Sequence, residues 1–464
     1  MNPITIPNIT IPVIGLPTIG IPSVGFPSAS GGGLIWPAGM KEHIKAIYDP
    51  KKQGLTNYDV IEAYTEDFKK WNNCPEKYTG SLTSNSLALT NVSQKTALIY
   101  SPIKPYDFKV LIRGLQEGQH VKFGFDYGEV ILEADKDGVY TLEWKEGLKS
   151  YGIYTNFVGE CNITITQLPT SILKDLSGNG NHAYLYGGKG KLNSGMGVYK
   201  QDYTTYKNDG NTNVEDVKPD TFVLLAGNLS RLGMPYKDIV GENIPAYKIN
   251  VTGITDGTVT YFYRNEDGKQ LQYVIKSDGE YELPTCYREG TEGTAVNIVA
   301  NNNSNKITIT QIPDYPDQLC YDGKMYAVCY GFPILTDYTV MADRTWFDKM
   351  NRACFLSKIT TSGTGAFGFE FYNEFNACVT YSYNLFTDVE LFKNGITYQT
   401  KNSYNGTPIK YNASGIKDNS ELYIGKLRPT EHSGYVGCHG KIIIADRSFT
   451  EDEITWLKDN WKKI

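Results

Sequence analysis

Three groups of side chains in this 464-residue chain have types and spacings that could carry chemistry. The first is the loop "DLSGNGN", where Asp175, Ser177 and Asn179, followed by Gly180, stand at positions 1, 3, 5 and 6 of a calcium loop. Position 12 is Tyr186 instead of a bidentate glutamate, so an EF-hand is excluded. Left-handed turns select the same residue types, and a structural turn is preferred to a calcium site at Asp175, Ser177 and Asn179. The second group is Glu370 and Glu374 in "FGFEFYNEFNA", a carboxylate pair of the kind that hydrolyses glycosides. Four residues along a regular strand separate them by roughly 13 Å, wider than the roughly 5–9.5 Å such mechanisms use. The third is His432, Cys438 and His439 in "EHSGYVGCHG", which matches no zinc spacing. Adjacent Cys438 and His439 point to opposite faces of a strand, predicting a buried cysteine beside a surface histidine. No nucleophile elbow, P-loop or dinucleotide fingerprint occurs. The expectation is a protein that is not an enzyme and holds no cofactor.

Composition gives the setting for these residues. With 46 Gly, 35 Tyr, 18 Phe and a net charge of -6, the body should be β-rich and turn-rich, with two to four domains. No basic cluster exceeds "FKKW" or "WKKI", which argues against a nucleic-acid partner. The 8 cysteines form no CxxC pair and are expected to be reduced. No unbroken apolar run approaches the ~20 residues of a membrane span. Aromatic side chains are abundant enough for a sugar-stacking platform, although no single contact can be assigned.

The chain contains one internal repeat. The stretch from Tyr106 to Pro169 matches that from Pro245 to Pro313: Gly114 pairs with Gly253, Gly118 with Gly257, Asp137-Gly138 with Asp278-Gly279, and "ITITQLP" with "ITITQIP". Period-two alternation, as in Val121, Phe123 and Phe125, together with Asp-Gly turns, predicts a small antiparallel β-sandwich for each copy. These copies are called modules A and B.

The flanking segments carry a resemblance. "AIYDPKKQGLTNYDVIEAY", then "LKDLSGNGNHAYLYGG", and later "TDYTVMADRTW", "CFLSKITTSG", "VELFKNGITY", "LYIGKL" and "GCHGKIIIADRSFTEDEITWLKDNW" are similar to the strands of laminin-G-like, concanavalin-A-type jelly rolls. The last carries the family's terminal signature, with Phe449 where leucine is usual. The resemblance covers 41–65, 173–240 and 320–464. It implies an all-β jelly roll interrupted by the two modules, in a fold that hosts lectins, spacers, adhesion modules and enzymes. The E-x-D-x-x-E pattern of the family's glycosidases is absent. An Asn394-Gly395 turn predicts a hairpin, and Thr450 with Glu453 predicts a capping box opening a short C-terminal helix with Ile454, Leu457 and Trp461 on one side. The expected divisions are 1–33 as an arm, 34–79, 173–243 and 320–464 as the jelly roll, and 80–172 and 244–319 as modules A and B.

The arm is the remaining feature. Its pentads place Ile6, Pro7, Ile11, Pro12, Ile14, Leu16, Pro17, Ile19, Ile21, Pro22, Val24, Phe26 and Pro27 in an uncharged run, and the first charged side chain is Lys41. A proline every five residues forbids a helix, and with it helical insertion into a membrane. The lack of a basic region before an unbroken apolar stretch argues against a secretory signal. Extended, Ile6 to Pro27 spans on the order of 70 Å, which suits packing along other chains, three copies wound together or one copy in a groove. The expectation is a homo-oligomer, a trimer by preference, docked through the arm on a capsid or tail protein. The combination resembles head-fibre, decoration or tail-fibre virion proteins of phages infecting Bacteroidetes. That resemblance implies synthesis in the host cytoplasm, location in the virion and a body that contacts a host-surface glycan. The alternative is a bacterial glycan-binding or glycan-cleaving protein of the laminin-G-like kind.

Overall fold

The computed structural model describes residues 34–464 apart from 58, 102–105, 125–129, 144–150, 191, 207–212, 228–229, 234–242, 288–296, 302, 349–352, 360–364, 373–376, 381–383, 387–393, 409–420 and 428–433. Of 359, 365–372, 377–380 and 384–386 it describes the backbone alone. The arm with its thirteen anchor residues, Glu374, His432, the side chain of Glu370 and the first strand of the Asn394 hairpin lie outside the described residues.

The alternating segments pair into an all-β jelly roll of two eight-stranded antiparallel sheets. In the first, Val436–Ala445 is central: Thr339–Asp348 runs along one edge, while Ile44–Tyr48 and Asp314–Asp322 share the other. The second sheet is ordered Ile172–Leu173, Ala183–Tyr186, Tyr326–Tyr330, Glu421–Ile424, Cys354–Ile359, Gly365–Tyr372, Ala377–Thr380 and Asn384–Phe386. Period two then sorts the side chains. Val340, Ala342 and Trp346 of the first sheet meet Leu185, Ala327, Leu422 and Ile424 of the second in one buried cluster. The valine, leucines and isoleucine among them each contribute roughly 1.5–3 kcal/mol when fully buried.

The opposite parity of the first sheet, Met341, Ile443 and Ala445, is covered by the C-terminal helix Glu451–Asn460 through Ile454 and Leu457, and by Trp461 at its C-cap. Thr450 Oγ1 accepts from the Glu453 amide, and the Glu453 carboxylate accepts from the Thr450 amide, so the box forms as the spacing predicts. Leu34 and Trp36 pack against the same cluster, with the Trp36 and Trp456 ring centroids 5.0 Å apart.

Two sandwiches interrupt the jelly roll. Module A pairs a sheet ordered Tyr78–Leu82, Ser86–Val92, Gly159–Gln167, Phe108–Arg113, Gly138–Leu142 with a second five-stranded sheet. Module B repeats it as Val214–Glu215, Thr221–Leu224, Ile307–Ile312, Tyr247–Thr252, Gly279–Leu283, opposite a four-stranded sheet. Equivalent positions keep their register: Leu111 faces Val139 where Asn250 faces Glu280. The paired glycines have a common cause. Gly114 and Gly253 have φ of 87° and 101°, and a Cβ on either would overlap the carbonyl of Asn162 or Lys306. Asp137 accepts from the amides of Gly114 and Leu115, and Asp278 accepts from those of Gly253 and Ile254.

The strand pairing corrects the expected divisions. Module A already includes Asn72–Asn73 and Tyr78–Leu82, ahead of 80. Module B includes Val214–Glu215, Thr221–Leu224 and Ser230–Gly233, ahead of 244, and the jelly-roll strand Asp314–Asp322 starts before 320. The equivalence reaches back further still. Asp67 and Asp202 each cap a 3-10 turn, Phe68–Lys70 and Tyr203–Thr205, and each turn buries an aromatic ring, Phe68 or Tyr203. Gln167 holds the main chain of Glu66, and Gln311 that of Lys200 and Gln201. These opening segments share turn chemistry but almost no residue identity, which hid them.

Candidate functional site

Two irregularities in the first sheet open a cleft of about 720 Å³ on its outer face. Between the pairs Val198–Asp314 and Met196–Leu319 the ladder skips, so Tyr315, Pro316, Asp317 and Gln318 stand out of register. On the neighbouring strand, Ala342 pairs with Ile442 but Arg344 with His439, so Gly440 and Lys441 together face the single residue Asp343. Bulges of this kind redirect side chains. All of these residues except Ala342, Arg344, His439, Ile442 and the pairing partners Val198, Asp314, Met196 and Leu319 line the cleft, with Asp49 and Trp461.

Asp343 alternates with inward-facing Ala342 and Arg344 and therefore points away from the core. Its Oδ2 accepts from Gln318 Nε2 at 3.3 Å, and a Cβ on Gly440 would come within 3.0 Å of that oxygen. Burial raises the Asp343 carboxyl above its ordinary value, against the opposing pull of Lys441. Lys441 is 5% exposed and pairs with Asp49 at 3.5 Å. It also donates to the Trp461 carbonyl and lies 5.3 Å from that ring. Burial lowers its pKa, and Asp49 opposes the shift. Across the cleft Lys51 pairs with Asp317 at 2.5 Å. Tyr315 is 41% exposed, 5.5 Å from the Phe347 ring, and has φ of 52°, a left-handed conformation that costs a non-glycine residue roughly 1–2 kcal/mol. The arrangement offers a desolvated acceptor, an amide and an accessible ring.

The Asp175 loop is a staple between strands. Asp175 Oδ1 accepts from the amides of Ile47 and Ser177, and Oδ2 accepts from Ser177 Oγ and the Asn181 amide. Asn179 Nδ2 donates to the Ile44 carbonyl at 2.8 Å. Both carboxylate oxygens serve protein donors that fasten the loop to Ile44–Tyr48, and Gly178 and Gly180 take the left-handed turns at φ of 93° and 76°.

Cys438 and His439 do fall on opposite faces, but the histidine is not at the surface. Both are 0% exposed. His439 Nδ1 donates to the Gly440 carbonyl at 2.7 Å, so Nε2 accepts from the Tyr321 hydroxyl at 2.9 Å, and burial pushes the imidazole pKa down to about 4. Cys438 pairs in register with Cys320, and Cys438 Sγ lies 2.8 Å from Gln318 Oε1. The sequence missed the cleft because Gln318, Asp343 and Lys441 come from three separate strands. Its available signals were Gly440 between His439 and Lys441 at the head of the "IIIA" run and Tyr-Pro opening another strand.

No family model matches the chain, and no curated sequence does. Among solved structures it is similar to a mutant of Trypanosoma rangeli sialidase displaying trans-sialidase activity, at 9% identity over 83% of each chain with a TM-score of 0.24. It is also similar to Trypanosoma rangeli sialidase in complex with 2,3-difluorosialic acid, at 10% identity over 90% of this chain and 91% of that one, with a TM-score of 0.23. Likeness this slight bears on neither fold nor activity.

Proposed function

We propose that the chain is a structural protein of a phage particle, of head-fibre, decoration or tail-fibre type, anchored by 1–33 and presenting its β-rich body to host glycans. The observation that carries this reading is how apolar surface divides between arm and body. In the body, Leu34, Trp36 and Met40 belong to the cluster that the C-terminal helix closes. Upstream of them, "SASGGG" at 28–33 separates that closed cluster from the apolar pentads of Ile6 to Pro27. Such side chains favour burial, and sister arms or a capsid or tail protein would cover them, the alternative being the chain's own body.

Sedimentation equilibrium of the full chain should report a trimer or larger assembly. The chain beginning at Leu34 should sediment as a monomer with unchanged circular dichroism. A full chain that remains monomeric overturns the reading. The cleft, taken alone, equally suits the second reading of a bacterial glycan-binding or glycan-cleaving protein. A monomer that binds glycans selects it, and release of reducing sugar selects cleavage.

A further inference from the structure

We infer that the cleft between 315–318 and the bulge at 439–441 binds a neutral, hydroxyl-rich ligand, a hexose-containing glycan without acidic groups. Asp343 and Gln318 take its hydroxyls and the Tyr315 ring takes a pyranose face. The inference deepens the display reading by naming a ligand class, and rests on that reading only for where the glycan comes from.

Four observations converge on it. The volume, about 720 Å³, falls in the roughly 300–1,000 Å³ range of small-ligand sites. Asp343 is partly buried and receives a hydrogen bond from Gln318 at 3.3 Å, so hydroxyl donors from a ligand would satisfy a carboxylate that burial disfavours. The charges around it are largely matched within the protein: Lys441 is engaged by Asp49, Lys51 by Asp317, and Lys52 by the carbonyls of Lys463 and Ile464. A ligand anion beside Asp343 would meet like charge, whereas a neutral polyol would not. Tyr315, finally, is held in a strained backbone with its ring accessible at the cleft wall, and strain of this kind persists where the surrounding structure enforces a side-chain position. Lys462 also lines the cleft, so an acidic sugar belongs in the test as the discriminating probe.

The full chain is titrated calorimetrically with cellotriose, maltotriose, mannotriose and chitotriose, and with trigalacturonate as the acidic counterpart. At least one neutral trisaccharide should bind at millimolar concentration or below. Asp343→Asn and Tyr315→Ala should each weaken it by about tenfold or more, while Tyr315→Phe stays within about threefold. Tyr315→Gly relieves the backbone and should lose binding without lowering the melting temperature, which separates a lost ring from a lost fold. The inference is overturned if no neutral sugar binds, if trigalacturonate alone binds, or if Asp343→Asn and Tyr315→Ala leave binding unchanged. A trimer that binds no sugar removes the site and leaves the fibre reading standing. A monomer that binds sugar does the reverse.

Discussion

At the scale of single residues, the buried imidazole of His439 makes a prediction about acid stability. Its two ring nitrogens are committed, Nδ1 donating to the Gly440 carbonyl and Nε2, in the neutral ring, accepting from Tyr321, and no solvent reaches the ring to stabilise a charge. Burial lowers its pKa from 6.5 to about 4. The unfolded chain therefore takes up a proton that the folded chain refuses, and stability falls as pH drops from about 6.5 towards 4, by up to about 1.4 kcal/mol per pH unit. His439→Gln should cost about 1–3 kcal/mol at neutral pH through the altered core hydrogen bonds. It should also flatten the dependence of urea midpoint on pH across that window. An unchanged slope in the variant would assign the acid sensitivity elsewhere. The sequence placed this histidine on the strand but not in the core. Alternation fixes relative faces, and only the second sheet, contributing Phe355 at 5.9 Å, decides which face is buried.

Elements were legible where their signals were local. The capping box was visible because both partners of each hydrogen bond lie within one turn, and the duplicated Asp-Gly turns were visible because Asp137 and Asp278 cap glycines of the same repeat. The module openings were not, since Gln167 and Gln311 reach main chain about a hundred residues upstream. The cleft depends on skipped ladder positions, which leave almost no trace in composition. The C-terminal helix supplies the test at this scale. Glu453 receives both Arg447 Nη1 at 2.9 Å and Nη2 at 2.6 Å as well as the Thr450 amide, and the Arg447 contact leads in lowering its pKa to about 2. A depressed carboxyl stabilises above its unfolded value and loses that contribution as pH falls from about 4.5 towards 2, a window below that of His439. Glu453→Ala should cost about 1–3 kcal/mol at neutral pH, measured by chemical denaturation, and remove the lower limb of the acid transition while keeping the upper one.

Across the whole molecule, the two modules share a fold but differ in how the jelly roll holds them. Leu111 and Leu168 of module A, with Val139, pack on Tyr184, Tyr186 and Tyr330 of the second sheet. Arg113 lies over the Tyr330 ring at 5.5 Å and pairs with Glu421. Among the described residues, the apolar cluster of module B draws only on 203–309, so it shares none with the jelly roll. The register-matched positions explain the contrast: the Leu111–Val139 pair becomes Asn250–Glu280, and Arg113 becomes Thr252. One copy has an apolar patch on its outer face, and of its three members the other keeps only the counterpart of Leu168, Ile312. Leu111→Asn combined with Val139→Glu should therefore convert module A to the character of module B. Hydrogen exchange should then accelerate in Tyr184, Tyr186 and Tyr330 while the sandwich core at Ile112 and Ile165 stays protected. The reciprocal pair, Asn250→Leu with Glu280→Val, leaves an apolar patch on a face with no tyrosine surface described opposite it, and should lower solubility without raising the melting temperature. If the first variant unfolds module A outright, the patch is part of its own core stability and the docking account fails.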